Sequence, residues 1–118
     1  MKGRYKAVFQ GGVYIVDLSP VYGSEQGGVR PCVCVSNDYN NLHASIAQFV
    51  PLSLQYKPPL PMHCVLLAKD YRFLNGNSVV LCEQLTTKSI DKVERFLGRV
   101  TNTDLLNIQN CIKTQLDL

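Results

Sequence analysis

Three side chains able to act on a phosphodiester stand within six consecutive residues: Glu25, Gln26 and Arg30. They belong to the stretch GGVYIVDLSPVYGSEQGGVRP, from Gly11 to Pro31, in which an apolar run enters a polar, glycine-punctuated loop and Pro31 opens a second strand. Gly23, Gly27 and Gly28 allow positive φ and close approach of a ligand to the backbone. A guanidinium binds phosphate bidentately and keeps its charge at ordinary pH. Arg30 therefore suits neutralisation of a pentacoordinate phosphorane better than proton abstraction. The competing reading is a surface charge beside a strand.

RNA carries its own nucleophile, the 2′-OH, so its cleavage calls for no metal ion. It calls for a proton acceptor, a proton donor and a group that neutralises the phosphorane. Glu25 is the acceptor on offer, with a solvated turn carboxylate as the alternative. Ser53, at a strand end, can donate a hydrogen bond to a phosphate oxygen, although serines there are common. Nothing in the spacing brings His43 and His63 together as an acid–base pair; His43 is expected at the surface and His63 in a structural hydrogen bond. Tyr22 in the glycine loop and Tyr56 in a proline-rich loop could stack an unpaired base or pack against their own loops. Lys57 adds a phosphate partner.

The elements that must hold these residues are short. With 118 residues, 46% hydrophobic and 18% charged, the chain is expected to form one domain, 1–118. The net charge of +3 permits an anionic partner without requiring one. No apolar run has the length of a membrane span, and MKGRYKAVFQGG lacks the apolar core of a signal peptide, so a cytoplasmic location is expected. The five cysteines, Cys32, Cys34, Cys64, Cys82 and Cys111, form no CxxC pair or His/Cys cluster. They read as small reduced core residues, with no metal or other cofactor expected.

Strands are expected over Val13–Leu18, Cys32–Val35, Ile46–Leu54, His63–Leu67, Ser78–Glu83 and Val93–Val100. Pro51 demotes part of the third to an edge or bulge, and Ser36-Asn37-Asp38 and Asn40-Asn41 read as turns. Leu105, Ile108, Ile112 and Leu116 share one helical face beside Cys111, with Thr101, Asn102 or Thr103 as cap. The expected fold is mainly β, a small antiparallel barrel with one C-terminal helix.

Residues 13–31 closely resemble the first block of the MazF/PemK family of toxin endoribonucleases from toxin–antitoxin pairs. Ser36-Asn37-Asp38, Pro61-Met62-His63 and the block Asn77 to Gln84 resemble later family blocks in the same order. The resemblance implies an SH3-like barrel acting as a homodimer. It implies metal-independent cleavage of single-stranded RNA at short sequences, leaving 2′,3′-cyclic phosphate and 5′-OH ends, with a cognate antitoxin covering the RNA groove. Carried onto this chain, the catalytic roles fall on Arg30, Ser53 and Glu25, and RNA binding on Gln26, Tyr22, Asn37, Tyr56, Lys57 and Gln84.

Three positions depart from the family pattern. Gly12 replaces an aspartate, which would loosen the anchoring of the first strand. Ser53 replaces a threonine and lacks the methyl that stiffens χ1. Thr86 stands where a basic residue is common, with Lys88 close by. These leave room for a catalytically weakened RNA- or antitoxin-binding member. A gyrase-binding toxin of the CcdB type shares the barrel but relies on a C-terminal tryptophan, and this chain has none.

Overall fold

Alternation along the first three strands divides their apolar side chains between two faces. The structure is a computed structural model that describes residues 7–54 and 60–118. In it, β1 (Gly12–Asp17), β2 (Val29–Cys34) and β3 (Ile46–Ser53) are successive antiparallel neighbours. Val13, Val33, Val50 and Leu52 enter one core, whereas Tyr14, Val16, Cys32, Cys34, Ala47 and Phe49 enter the other. Side chains repeat every second residue on a strand, so apolar residues in both registers demand cover on both sides of the sheet.

β4 (His63–Leu66) and β5 (Ser78–Leu81) extend the sheet past β3, and β7 (Val93–Arg99) lies outside β1. The strand order is β4-β5-β3-β2-β1-β7, and β6 (Thr86–Ser89) also pairs with β3. Among the described residues no pairing joins β4 to β7, so the barrel-like sheet stays open there. Pro51 is buried in mid-strand opposite Cys32. On its other side β3 changes partner, from β6 at Ile46–Phe49 to β5 at Leu52 and Ser53. A residue without an N–H is tolerated where one ladder stops and the next begins.

Apart from short 3-10 turns, one helix and one strand were not expected. α1 (Asp38–His43) forms where the sequence reads as turns, capped by the Asn37 side chain, which accepts from the Asn40 N–H at 2.8 Å. β6 is the polar run TTKS, with no apolar alternation to announce it. β2 starts at Val29, earlier than expected, because Pro31 and Arg30 pair with Ile15 and Val16 of β1. β5 ends at Leu81, where Cys82–Gln84 turn into a 3-10 helix.

α2 (Asn102–Leu116) is capped by Thr101, whose hydroxyl accepts from the Asp104 N–H at 3.1 Å. The Asp104 carboxylate in turn accepts from the Tyr71 hydroxyl, tying the first helical turn to the chain beyond β4. Ile108 is fully buried, with Leu105, Cys111 and Ile112 packed around it against the first core. Burying a side chain of that size contributes about 1.5–3 kcal/mol. Leu116 is the exception to the expected helical face. It is 51% exposed, because contact with the core ends near Ile112.

Gly12 has a packing reason of its own. A Cβ there would lie 2.7 Å from the Tyr14 ring, so any side chain would push the ring aside. That ring is buried in the second core, and its hydroxyl accepts from the Phe9 N–H at 3.1 Å. The space beside Gly12 is filled by this aromatic ring. All five cysteines are free; Cys32, Cys34 and Cys82 are buried, and burial pushes the Cys32 and Cys82 thiols up to about 12.

Candidate active site

The loop from Leu18 to Gly28 is closed by a backbone bond from the Leu18 N–H to the Gly28 carbonyl, 3.0 Å. Gly28 takes φ +76°, a conformation that costs a residue with a Cβ and costs glycine little. Lysines pin the start of the loop: Lys88 Nζ donates to the Leu18 carbonyl and Lys92 Nζ to that of Ser19, each at 2.9 Å. The Ser19 hydroxyl and N–H both donate to Asp17, which holds its carboxyl below the usual range.

Arg30 emerges from this loop onto β2, half-buried. Its Nε donates to the Gly27 carbonyl at 3.0 Å and its Nη1 to the Leu52 carbonyl at 3.4 Å. The Gln26 amide is assigned with its oxygen toward the guanidinium, where it accepts from Nη1 at 3.1 Å and Nη2 at 3.2 Å. Three acceptors, two from the glycine loop and one from β3, therefore fix the guanidinium plane. Among the described residues, these bonds use four of its five hydrogens and leave one on Nη2.

Two hollows flank Gln26. One, of about 390 Å³, is lined by Arg30, Ser53, Phe73, Asn75 and Ser78 with Gln26 at its border. The other, of about 350 Å³, is lined by Tyr22, Glu25, Gln84, Thr86 and Lys88, again with Gln26. The sequence-predicted pair Arg30 and Ser53 thus shares one cavity, whereas Glu25 lines the other. The Glu25 carboxylate accepts from the Tyr22 N–H at 2.8 Å, and the Glu25 N–H donates to the Tyr22 carbonyl at 3.1 Å. Glu25 closes its own turn.

Of the residues expected to touch RNA, Tyr22 is 75% exposed at the rim of the second hollow. Asn37 caps α1 and lines neither hollow. Tyr56 and Lys57 lie outside the described residues. Gln84 bonds at both ends of its amide, accepting from the Gln26 N–H at 3.1 Å and donating to the Ser24 carbonyl at 3.2 Å. His43, exposed on α1, packs its ring at a tilt of 46° against Tyr39, with ring centroids 4.4 Å apart. His63 is structural, as expected: its Nε2 lies 2.8 and 3.0 Å from the Glu83 carboxylate oxygens, and the side chain is 4% exposed.

Sequence reasoning missed Phe73, Asn75 and Ser78 as walls of the arginine hollow. A signal existed in Asn75-Gly76-Asn77, which reads as a tight turn and which the fold carries back beside the end of β3. The Gln84 contacts span 58 and 60 residues and leave no local signal. Together the arginine hollow offers a fixed positive charge and a hydroxyl at the meeting of β2, β3 and β5, a frame suited to an oxyanion.

Residues 9–116 match the family model described as PemK-like, MazF-like toxin of type II toxin–antitoxin system. Endoribonuclease EndoA of Bacillus subtilis (strain 168) is 44% identical over 98 residues, covering 82% of this chain and 81% of that protein. Endoribonuclease MazF of Staphylococcus epidermidis is 34% identical over 110 residues, covering 92% and 91%. A solved mycobacterial endoribonuclease in complex with its cognate antitoxin superposes with a TM-score of 0.78 at 27% identity, covering 95% of this chain and 97% of that one.

Proposed function

The chain belongs to the PemK/MazF family of type II toxins and is an endoribonuclease of that kind; from this premise we propose that it cleaves single-stranded RNA at short sequences without a metal ion. The 2′-OH attacks the adjacent phosphorus and gives up its proton, while the bond to the 5′ oxygen breaks and that oxygen takes up a proton. The products are a 2′,3′-cyclic phosphate and a 5′-OH. Arg30 stabilises the charge that grows on the phosphorane, and Ser53 holds a non-bridging oxygen. The observation that carries this reading is the shared hollow, in which the Arg30 guanidinium is fixed by Gly27, Leu52 and Gln26 beside Ser53. A group held in place before reaction stabilises a transition state without reorganising.

Glu25 acts as proton acceptor only if its turn opens, since its carboxylate caps the Tyr22 N–H and faces the second hollow. Tyr22, at the rim of that hollow, supplies an aromatic face for an unpaired base. The protein works as a cytoplasmic homodimer neutralised by a cognate antitoxin; the antitoxin complex of the mycobacterial relative supports that pairing. None of the helices among the described residues is long and apolar enough to cross a membrane.

The test incubates the purified protein with a long RNA in excess EDTA and maps the new 5′ ends. Discrete cuts within a recurring short motif, each bearing a 5′-OH, are expected. Cleavage that appears only after Mg²⁺ is restored would contradict the reading.

A further inference from the structure

The 3-10 turn Cys82–Gln84 sends three consecutive side chains to three different parts of the fold. Cys82 is buried in the first core, its thiol 3.9 Å from the Ile108 carbonyl of α2. Glu83 meets His63 of β4 through both carboxylate oxygens. Gln84 reaches the glycine loop, where its amide takes the Gln26 N–H and gives a hydrogen to the Ser24 carbonyl. The loop is otherwise exposed through Glu25, with φ of +58° at Gly23 and +76° at Gly28. Lys88 and Lys92 hold the start of the loop, and Gln84 holds its middle, at Ser24 and at Gln26, the residue that accepts from both Nη atoms of Arg30.

We infer that Gln84 is a positioning residue for Arg30, acting through Gln26: by fixing the Gln26 backbone it fixes the amide oxygen that sets the guanidinium plane. The chain of contacts runs from the His63–Glu83 pair, through the backbone of the turn, to Gln84, Gln26 and Arg30. The His63–Glu83, Gln84–Gln26 and Gln26–Arg30 links are hydrogen bonds, the peptide bond joins Glu83 to Gln84, and a fork held by a planar amide has little freedom to rotate. Loss of the tie leaves Arg30 in the hollow but in more than one orientation. Misplacement of a catalytic charge by about 1 Å is enough to cost up to about a hundredfold in rate. The catalytic consequence rests on the endoribonuclease reading above; the orientation of Arg30 does not.

Two variants and two readouts test this. Gln84→Met keeps the volume and removes both hydrogen bonds, and Gln84→Glu keeps the acceptor for the Gln26 N–H while losing the donor to Ser24. At saturating RNA, the single-turnover rate of Gln84→Met is expected to fall about tenfold or more with RNA affinity within about twofold of wild type, and Gln84→Glu to lie between. In the absence of RNA, the side-chain Nε–H signal of Arg30 in ¹⁵N–¹H spectra is expected to broaden and exchange faster in Gln84→Met than in wild type. An unchanged Arg30 signal in folded Gln84→Met overturns the inference. So does a loss confined to RNA affinity with the saturated rate intact, which makes Gln84 an RNA contact instead. If the wild type cleaves no RNA, the reading of function fails, and the Arg30 signal still decides the positioning claim. Should Gln84→Met not fold, the same comparison is made with Gln84→Glu.

Discussion

The two hollows on either side of Gln26 are built from different material. The arginine hollow takes its charge and hydroxyls from strands and their ends, Arg30 on β2, Ser53 closing β3 and Ser78 opening β5, with the amides of Gln26 and Asn75 from loops beside them. The second hollow takes Tyr22 and Glu25 from the exposed loop and Gln84 from a three-residue turn, with Thr86 and Lys88 of β6 as its strand wall. Ser53 and Ser78 are 4% and 2% exposed, whereas Tyr22 is 75% exposed. A sheet holds charge and hydroxyl at fixed distances, which transition-state stabilisation needs. A loop adapts, which base recognition needs. Under the proposed function, the chemistry falls to the arginine hollow and base recognition to the hollow beside Tyr22.

Arg30→Ala should break the comparison most severely. Removing one preorganised charge contact costs about 3–4 kcal/mol, or 10²–10³ in rate. Single-turnover cleavage should drop by that factor while melting temperature stays close to wild type, and Arg30→Lys should recover little because an ammonium cannot chelate the Gln26 oxygen as a fork does. A wild-type rate in Arg30→Ala would take the chemistry out of this hollow. Ser53→Ala comes next, with a loss of about tenfold for one hydrogen bond to a charged oxygen. Ser53→Thr should keep or raise the rate, since the added methyl restricts χ1. If Ser53→Ala shifts only the melting temperature, the serine serves the strand end and not the substrate.

Glu25→Gln sharpens the contrast from the other side. Glutamine keeps an oxygen for the Tyr22 N–H, so the turn survives and the rate should stay within about threefold of wild type. A fall of 10²–10⁴, the size of a lost general base, would show that the loop opens and brings Glu25 to the 2′-OH.

The smallest effect at neutral pH concerns the two cores, which bury Cys32 and Cys82. Cys32 and Cys82 have thiols raised by burial from 9.0 to about 12. The unfolded chain then loses these protons first, so the stability they contribute is whole below pH 9 and lost as pH rises from about 9 toward 12. Denaturation midpoints should be flat from pH 7 to 8.5 and fall above 9, and Cys32→Ala or Cys82→Ala should lessen that fall. A midpoint that holds through pH 11 would show that the thiols do not matter to it.

What the sequence disclosed follows from how local each signal is. The runs around β1, β2 and β3 alternate or carry β-branched residues, and they appear close to where they were expected. The TTKS of β6 has no such pattern; it is a strand because β3 offers it an edge through Phe49↔Thr86 and its neighbours. α1 is six residues long, held by an Asn37 cap and by buried Asn41 bonding to Ser36, features that a turn prediction shares. Leu116 fits the helical period but lies past the last contact with the core. At the site, the glycine loop points to Arg30, the family resemblance adds Ser53, and the two do share a cavity. Glu25 stands five residues from Arg30 in sequence, yet the turn it forms with Tyr22 directs it to the other hollow. Proximity along a loop says little about the direction in which a side chain points.

The central claim, that the arginine hollow stabilises attack by the RNA's own 2′-OH, is tested most directly with a single change in the substrate. Two short RNAs spanning a mapped cut are compared in EDTA, one natural and one with a 2′-deoxy sugar at the cleaved position. The natural strand should be cut, the deoxy strand should bind with similar affinity and remain intact, and Arg30→Ala should bind both and cut neither at an appreciable rate. Cleavage of the deoxy strand at the same position would contradict the account, because no internal nucleophile would then be needed.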